Sequence, residues 1–232
     1  MPAIGLIWRK IFHLSKLLGS KARKFKIMLP KTLFKLNDAK IILDELKKSE
    51  NPYSYKALFF SFISHARAIT YAIQAEAKYV DGFEEWYLAK QDEIRKDELL
   101  RFVHDARIDD FHRGNYNLLN FSSTVVKPYT EEDTGPPPAP EAIIGLTSMG
   151  LVWILGQGTG TELRIPIDIG PKLKTNVVVW NPPKSHLGND VDASCPIRLC
   201  EMVINYFSDF VREAQELFGQ KWREWNIKRH SK

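Results

Sequence analysis

The feature that most constrains the fold is an apolar stripe at helical spacing between residues 54 and 79. Its members recur at steps of three and four residues: Phe59, Phe62, Ile63, Ala66, Ile69, Ile73 and Ala77. An α-helix repeats every 3.6 residues, so this spacing places all of them on one face of a long helix. Such a face must be buried against other elements. The chain is therefore expected to be mainly α.

Comparable stripes predict further helices on both sides of this one. One helix is expected from Pro30 to about Ser49, a second from Phe83, and a third from Glu98 to His112, with Asp97 as its cap. The last is expected from about Pro196 to Trp222. Together these helices predict one helical bundle over residues 30–222, followed by a polar tail at 223–232.

The character of the chain changes between residues 117 and 183. Short β-branched or aromatic runs alternate there with turn clusters rich in Gly and Pro, which predicts a small antiparallel sheet inserted before the last helix. The run Gly156–Gly160 suits either a phosphate cradle or a hairpin turn, and strand-like sequence on both sides favours the turn. The expected class is mainly α with a β insertion, which is α+β overall.

Basic residues are concentrated at the N-terminus of a chain whose net charge is +5. Residues 1–29 form a basic amphipathic arm without an acidic side chain, and we expect it to contact RNA phosphates. The expected RNA-binding residues are Arg9, Lys10, Lys16, Lys21, Arg23, Lys24 and Arg113. A docking helix, a targeting peptide and an anchor on an anionic membrane surface are the alternatives for the arm.

Cysteine usage indicates a reducing compartment. Cys195 and Cys200 form no disulfide framework, so a cytoplasmic location is expected. Neither a zinc site nor a cofactor motif is evident. Asp105, Asp109 and Asp110 are interpreted as a solvated helix face and not as a metal site.

One pair of residues suits RNA cleavage without a metal. Arg107 and His112 lie at the end of the predicted third helix. A near-neutral imidazole can accept the 2′-hydroxyl proton, and a guanidinium can bind the charged phosphorane. Five residues along a helix rotate by roughly 140°, so the two side chains cannot share one straight face. Either the helix unwinds, or a homodimer assembles the site from two chains.

These residues resemble the HEPN superfamily of helical-bundle RNases. The resemblance runs through residues 55–76, 83–87 and 99–102 into Arg107, His112 and Arg113, and extends to the loop from Pro183 to Gly188. It implies a metal-independent endoribonuclease of toxin–antitoxin or defence systems, homodimeric, with Arg107 and His112 as catalytic residues and an antitoxin-like protein as partner. Ile108 stands where active members carry a polar residue. A non-catalytic protein that binds a protein or nucleic acid is therefore the alternative.

Overall fold

The computed structural model of the chain describes residues 29–108 and 118–230. Its helices are α1 (Pro30–Lys48), α2 (Pro52–Ala77), α3 (Phe83–Lys96), α4 (Glu98–Ile108), α5 (Glu131–Thr134) and α6 (Pro196–His230). Its strands are β1 (Leu119–Val125), β2 (Ile143–Thr147), β3 (Gly150–Leu155), β4 (Leu163–Ile167), β5 (Leu173–Val179), β6 (Ser185–His186) and β7 (Asn189–Asp190). The expected class, mainly α with a small antiparallel β part, is confirmed.

Helix α2 is the centre of the bundle, and its apolar stripe is buried as the spacing predicts. The Asn51 side chain accepts hydrogen bonds from the backbone N–H groups of Tyr53 at 2.9 Å and Ser54 at 3.1 Å. Pro52 occupies the first turn, where the missing N–H costs nothing. The helix therefore begins two residues before the predicted start at Ser54, because Asn51 is its cap and Pro52 belongs to its first turn.

The N-terminus of α1 is held by a buried acid from α2. Both carboxylate oxygens of Glu76 accept hydrogen bonds from the start of α1: Lys31 N donates at 2.8 Å, Thr32 N at 2.8 Å and Thr32 Oγ1 at 2.7 Å. A negative charge is favourable at this end of a helix, where free N–H groups point outward. Glu76 thereby fixes the start of α1, where the chain enters the bundle after the arm.

Helix α6 packs an aromatic stripe against α3. The rings of Trp86 and Phe210 lie 5.1 Å apart, and Trp86 Nε1 donates to Glu213 Oε1 at 2.7 Å. The predicted end of this helix at about Trp222 is too early, since it continues to His230. Trp225 stacks on Tyr79 in the extra turns, with ring centroids 5.4 Å apart.

The β part consists of small antiparallel sheets. Strands β2, β3 and β4 form a meander with its own apolar cluster around Leu151, Ile167 and Ile169. Strand β1 pairs with β5, and these two join the main core through Leu119 and Val179. Gly156–Gly160 connects the antiparallel strands β3 and β4, which confirms the hairpin turn and not the phosphate cradle. Among the described residues, no helix is both long enough and apolar enough to cross a membrane.

Candidate anion-binding pocket

Polar side chains of three helices meet beside the buried apolar faces of these helices. On α2, Arg67, Tyr71 and Gln74 follow one another at steps of four and three residues, so they share one face. On α4, Arg101 and His104 are three residues apart and point to the same side. Together with residues of α3, these side chains line one cavity.

The cavity has a volume of about 420 Å³ and is basic. Its charged lining consists of three arginines, Arg67, Arg95 and Arg101, against the single carboxylate of Asp105. Gln74, Gln91 and the hydroxyl groups of Thr70, Tyr71 and Tyr87 complete the polar lining. A cavity of this size with converging polar groups is typical of small-ligand sites, and its charge favours an anion.

Guanidinium groups from two helices lie over the ring of Tyr71. The Cζ atom of Arg67 lies 5.7 Å from the centroid of the Tyr71 ring, and Cζ of Arg107, from the end of α4, lies 6.0 Å from it. Both distances are within the range of cation–π attraction. About half of Tyr71 is exposed to solvent. The ring thus gathers two positive groups and still offers part of its surface to a ligand.

Arg67 has an unsatisfied hydrogen-bond donor. Its Nε is buried and has no acceptor among the described residues. A buried polar group without a partner typically costs about 1–3 kcal/mol, and more when it is charged. Structures tolerate such a group where a ligand supplies the missing acceptor, so this atom points to an anionic ligand.

The surroundings of His104 lower its pKa. Burial is the main cause that lowers its pKa from the ordinary value, and the positive charges of Arg67 and Arg107 lower it further, while Asp105 acts in the opposite direction. An imidazole among arginines is a hydrogen-bonding group that accepts a proton when negative charge approaches.

A hydrogen bond joins α2 and α3 at the cavity floor. Tyr87 donates its hydroxyl hydrogen to the carbonyl oxygen of Thr70 at 3.0 Å, which ties α3 to α2. Burial raises the pKa of Tyr87, so its hydroxyl stays protonated at neutral pH. The side chains of α2 and α3 are therefore held in register before a ligand arrives.

Asp97 positions α4, the third wall. Its buried carboxylate accepts from Leu100 N at 2.8 Å, which caps the helix, and from Leu187 N at 2.6 Å. His186 Nδ1 lies 3.1 Å from both carboxylate oxygens. The β6–β7 hairpin is thereby fastened to the helix that carries Arg101 and His104.

Comparison with known families assigns the chain. A family model described as bacteriophage lambda protein ea47 matches residues 35–157, which is more than half of the chain and includes every residue that lines the pocket. The chain belongs to this family. No curated protein and no solved structure matches it significantly.

Membership of the ea47 family corrects the resemblance to the HEPN superfamily, which is wrong. The residues quoted for that resemblance between 55 and 108 lie inside the span that the ea47 family model matches. Amphipathic stripes and a single Arg–His spacing recur in many helical bundles, because any surface helix shows this periodicity. The apolar stripes therefore predict the helices correctly, but the stripes and the Arg–His spacing do not identify the family.

The ea47-family structure places one of the two predicted catalytic residues. Arg107 lies beside the pocket, over Tyr71. His112 and the predicted RNA-binding residues Arg9, Lys10, Lys16, Lys21, Arg23, Lys24 and Arg113 lie outside the described residues. Their roles stay predictions.

Sequence reasoning missed the main lining residues. Arg67, Tyr71 and Gln74 form a polar stripe within the most apolar helix of the chain, and Arg101 with His104 repeats this on α4. An arginine, an aromatic ring and an amide on one face of a core helix are the signal that indicates a pocket. That signal does not show which other helices complete the pocket.

Proposed function

We propose that this ea47-family protein binds RNA, with a phosphate group held in the pocket by Arg67. The buried Nε of Arg67, which has no acceptor in the described chain, is the observation that carries the proposal. An arginine presents several N–H donors in a planar fork that matches phosphate geometry. A phosphate oxygen would satisfy the donor that the protein leaves unpaired.

The surroundings of Arg67 favour a nucleic acid over a simple anion. Arg95 and Arg101 add positive charge at the cavity, and the half-exposed Tyr71 ring offers a surface on which a base can stack. Stacking on an aromatic ring combined with basic side chains is typical of proteins that bind single strands. Cys195 and Cys200 are both unpaired, which suits the cytoplasmic location expected for an RNA-binding protein.

The test is RNA binding by full-length protein carrying Arg67→Met. Fluorescence anisotropy with a short labelled single-stranded RNA should show an affinity at least about tenfold lower, because a charge-assisted hydrogen bond is lost. Arg212→Met is the matched control, since Arg212 is exposed on α6 and forms a surface ion pair with Asp209, at 2.9 Å. Equal affinities of the wild type and Arg67→Met would contradict the proposal.

RNA cleavage without a metal is the second candidate function, and His104 favours it. The lowered pKa of His104 keeps a proton-accepting imidazole close to Arg67 and Arg107. Such a group can take the proton of a 2′-hydroxyl while a guanidinium stabilises the phosphorane. His112 is the base predicted from the sequence, alone or in a homodimer, so the two histidines have to be separated by experiment.

Incubation of the protein with RNA in EDTA tests this second candidate. Cleavage should yield 2′,3′-cyclic phosphate ends and should disappear in Arg107→Ala. Separate His104→Ala and His112→Ala variants then identify the base. If the wild-type protein binds RNA and the RNA stays intact, the non-catalytic binding function remains and cleavage is excluded.

A further inference from the structure

A second basic and aromatic surface lies where α2 ends. It consists of Lys78, Tyr79, Trp225 and Arg229, here called the aromatic ladder. The rings of Tyr79 and Trp225 are stacked, with an interplanar angle of 15°. Lys78 Nζ lies 4.8 Å from the Tyr79 centroid, and Arg229 Cζ lies 5.3 Å from the Trp225 centroid. Tyr79 is 57% exposed, so the ladder is open to solvent.

The ladder continues the face of α2 that lines the pocket. Lys78 follows Gln74 by four residues and Tyr71 by seven, and its backbone is still helical, so all three share one side of the helix. Eight residues separate Tyr71 from Tyr79, which corresponds to roughly 12 Å along a helix axis. A nucleic-acid strand can cover this distance without leaving the surface.

Charge determines the direction of such a strand beyond the ladder. Asp81, Glu84 and Glu85 lie on the side of Tyr79 where α3 begins, and they repel phosphates. The last turns of α6 carry Arg223, Lys228 and Arg229 against a single acid, Glu224, whereas Lys221 donates to the carbonyl oxygen of Asp81. Phosphates are therefore favoured along α6 and disfavoured along α3.

We infer that the ligand is a single strand that spans both sites, with a phosphate in the Arg67 pocket and a base stacked on the aromatic ladder. This inference rests on the proposed RNA binding and adds the class of ligand to it, because a mononucleotide would fill only the pocket. Arg229 lies over Trp225 at the outer end of the ladder, and a base can stack on its guanidinium. Such stacking tolerates any base, so the ladder contributes affinity and not sequence preference.

The experiment compares two ligand lengths on full-length protein. Tyr79→Leu and Trp225→Leu remove a ring and leave every charge in place. Affinity for a single-stranded RNA of about ten nucleotides should fall about tenfold in each variant, and affinity for a dinucleotide should not change. Phe34→Leu is the control, since Phe34 is 63% exposed on α1 and lines neither the pocket nor the cavity at Tyr79. Thermal unfolding verifies that each variant is folded.

The outcomes separate this inference from the proposed function. If Arg67→Met weakens dinucleotide binding while the ladder variants bind the longer strand as the wild type does, RNA binding stands and the spanning strand is wrong. If Arg67→Met has no effect on either ligand, both are wrong. Equal affinity for a duplex and a single strand of the same length also overturns the inference. The inference is likewise wrong if the ladder variants weaken binding to anionic lipid vesicles and leave binding to RNA unchanged.

Discussion

Arg67 is the residue at which the cost to folding and the benefit to binding can be separated. Its guanidinium lies over Tyr71, yet its buried Nε has no acceptor in the described chain. A donor that is buried without a partner destabilises the folded state, and a ligand that supplies the acceptor recovers this free energy. Residues retained for function often carry such a cost.

Arg67→Met should therefore bind RNA less tightly and unfold no earlier than the wild type. Methionine keeps the length of the apolar stem and removes the unpaired donor, so the melting temperature should stay the same or rise. Differential scanning calorimetry on the free proteins measures this. A clear drop in melting temperature would indicate that Arg67 holds the bundle together.

His104 gives the pocket a pH dependence whose sign follows from its pKa. Burial and Arg67 lower this pKa below the ordinary value of 6.5. The stability that depends on neutral His104 is therefore present above pH 6.5 and is lost as the pH falls through the folded-state pKa. A bound phosphate favours the imidazolium form, so RNA affinity should rise over the same window.

The comparison of wild type and His104→Gln between neutral and mildly acidic pH isolates this effect. Glutamine retains a hydrogen-bonding group that does not titrate in this range. The acid-induced gain in RNA affinity should be smaller in His104→Gln, and so should the acid-induced loss of melting temperature. Parallel pH profiles of the two proteins would exclude His104 as the titrating group.

At the scale of elements, α4 is the wall of the pocket that depends most on a single contact. Asp97 caps the helix and fastens the β6–β7 hairpin to it through His186 and Leu187. The carboxylate is 4% exposed, so its hydrogen bonds are shielded from water. The position of Arg101 and His104 thus depends on a hairpin that is distant in sequence.

Asp97→Asn should lower the free energy of unfolding by about 2–4 kcal/mol, because a buried, multiply bonded carboxylate is replaced by a neutral amide. Urea denaturation measures the change. Asp92→Asn is the matched control on α3, since Asp92 is exposed and forms a surface ion pair with Lys96, and a change within about 0.5 kcal/mol is expected there. Equal effects of the two substitutions would show that the Asp97 contacts contribute little.

The helices could be predicted from the sequence, and the pocket between them could not. Apolar periodicity and the capping residue Asp97 are local signals, and the structure confirms the helices that they predicted. The meeting of Arg67 with His104 depends on how α2 and α4 pack, which no local pattern encodes. The sequence relates Arg107 to His112 by their spacing. In the structure the Arg107 guanidinium lies over the ring of Tyr71, which is distant in sequence.

At the scale of the whole molecule, the proposed RNA binding assigns different parts of the binding free energy to the basic arm and to the pocket. The arm carries basic residues without an acid between positions 1 and 28. Phosphate contacts made by such a segment are independent of sequence and sensitive to salt. The pocket, in contrast, offers a shaped site with aromatic and amide groups.

Replacement of Arg9, Lys10, Lys16, Lys21, Arg23 and Lys24 by glutamine should reduce the salt dependence of RNA binding. Each lost contact to a single strand lowers the slope of log K against log salt by about 0.7, so a reduction of as much as about 4 is expected for a long strand. Anisotropy titrations at several salt concentrations give the slope. An unchanged slope would show that the arm makes no phosphate contacts.

The most direct test of the central claim observes the Nε–Hε group of Arg67 itself. In a ¹H–¹⁵N NMR spectrum this resonance is assigned by its loss in Arg67→Met, and a short single-stranded RNA is then added to the wild type. The account predicts a saturable downfield shift of the proton, because a phosphate oxygen becomes the acceptor that the free protein lacks. A resonance that stays in place while RNA shifts other parts of the spectrum would contradict it.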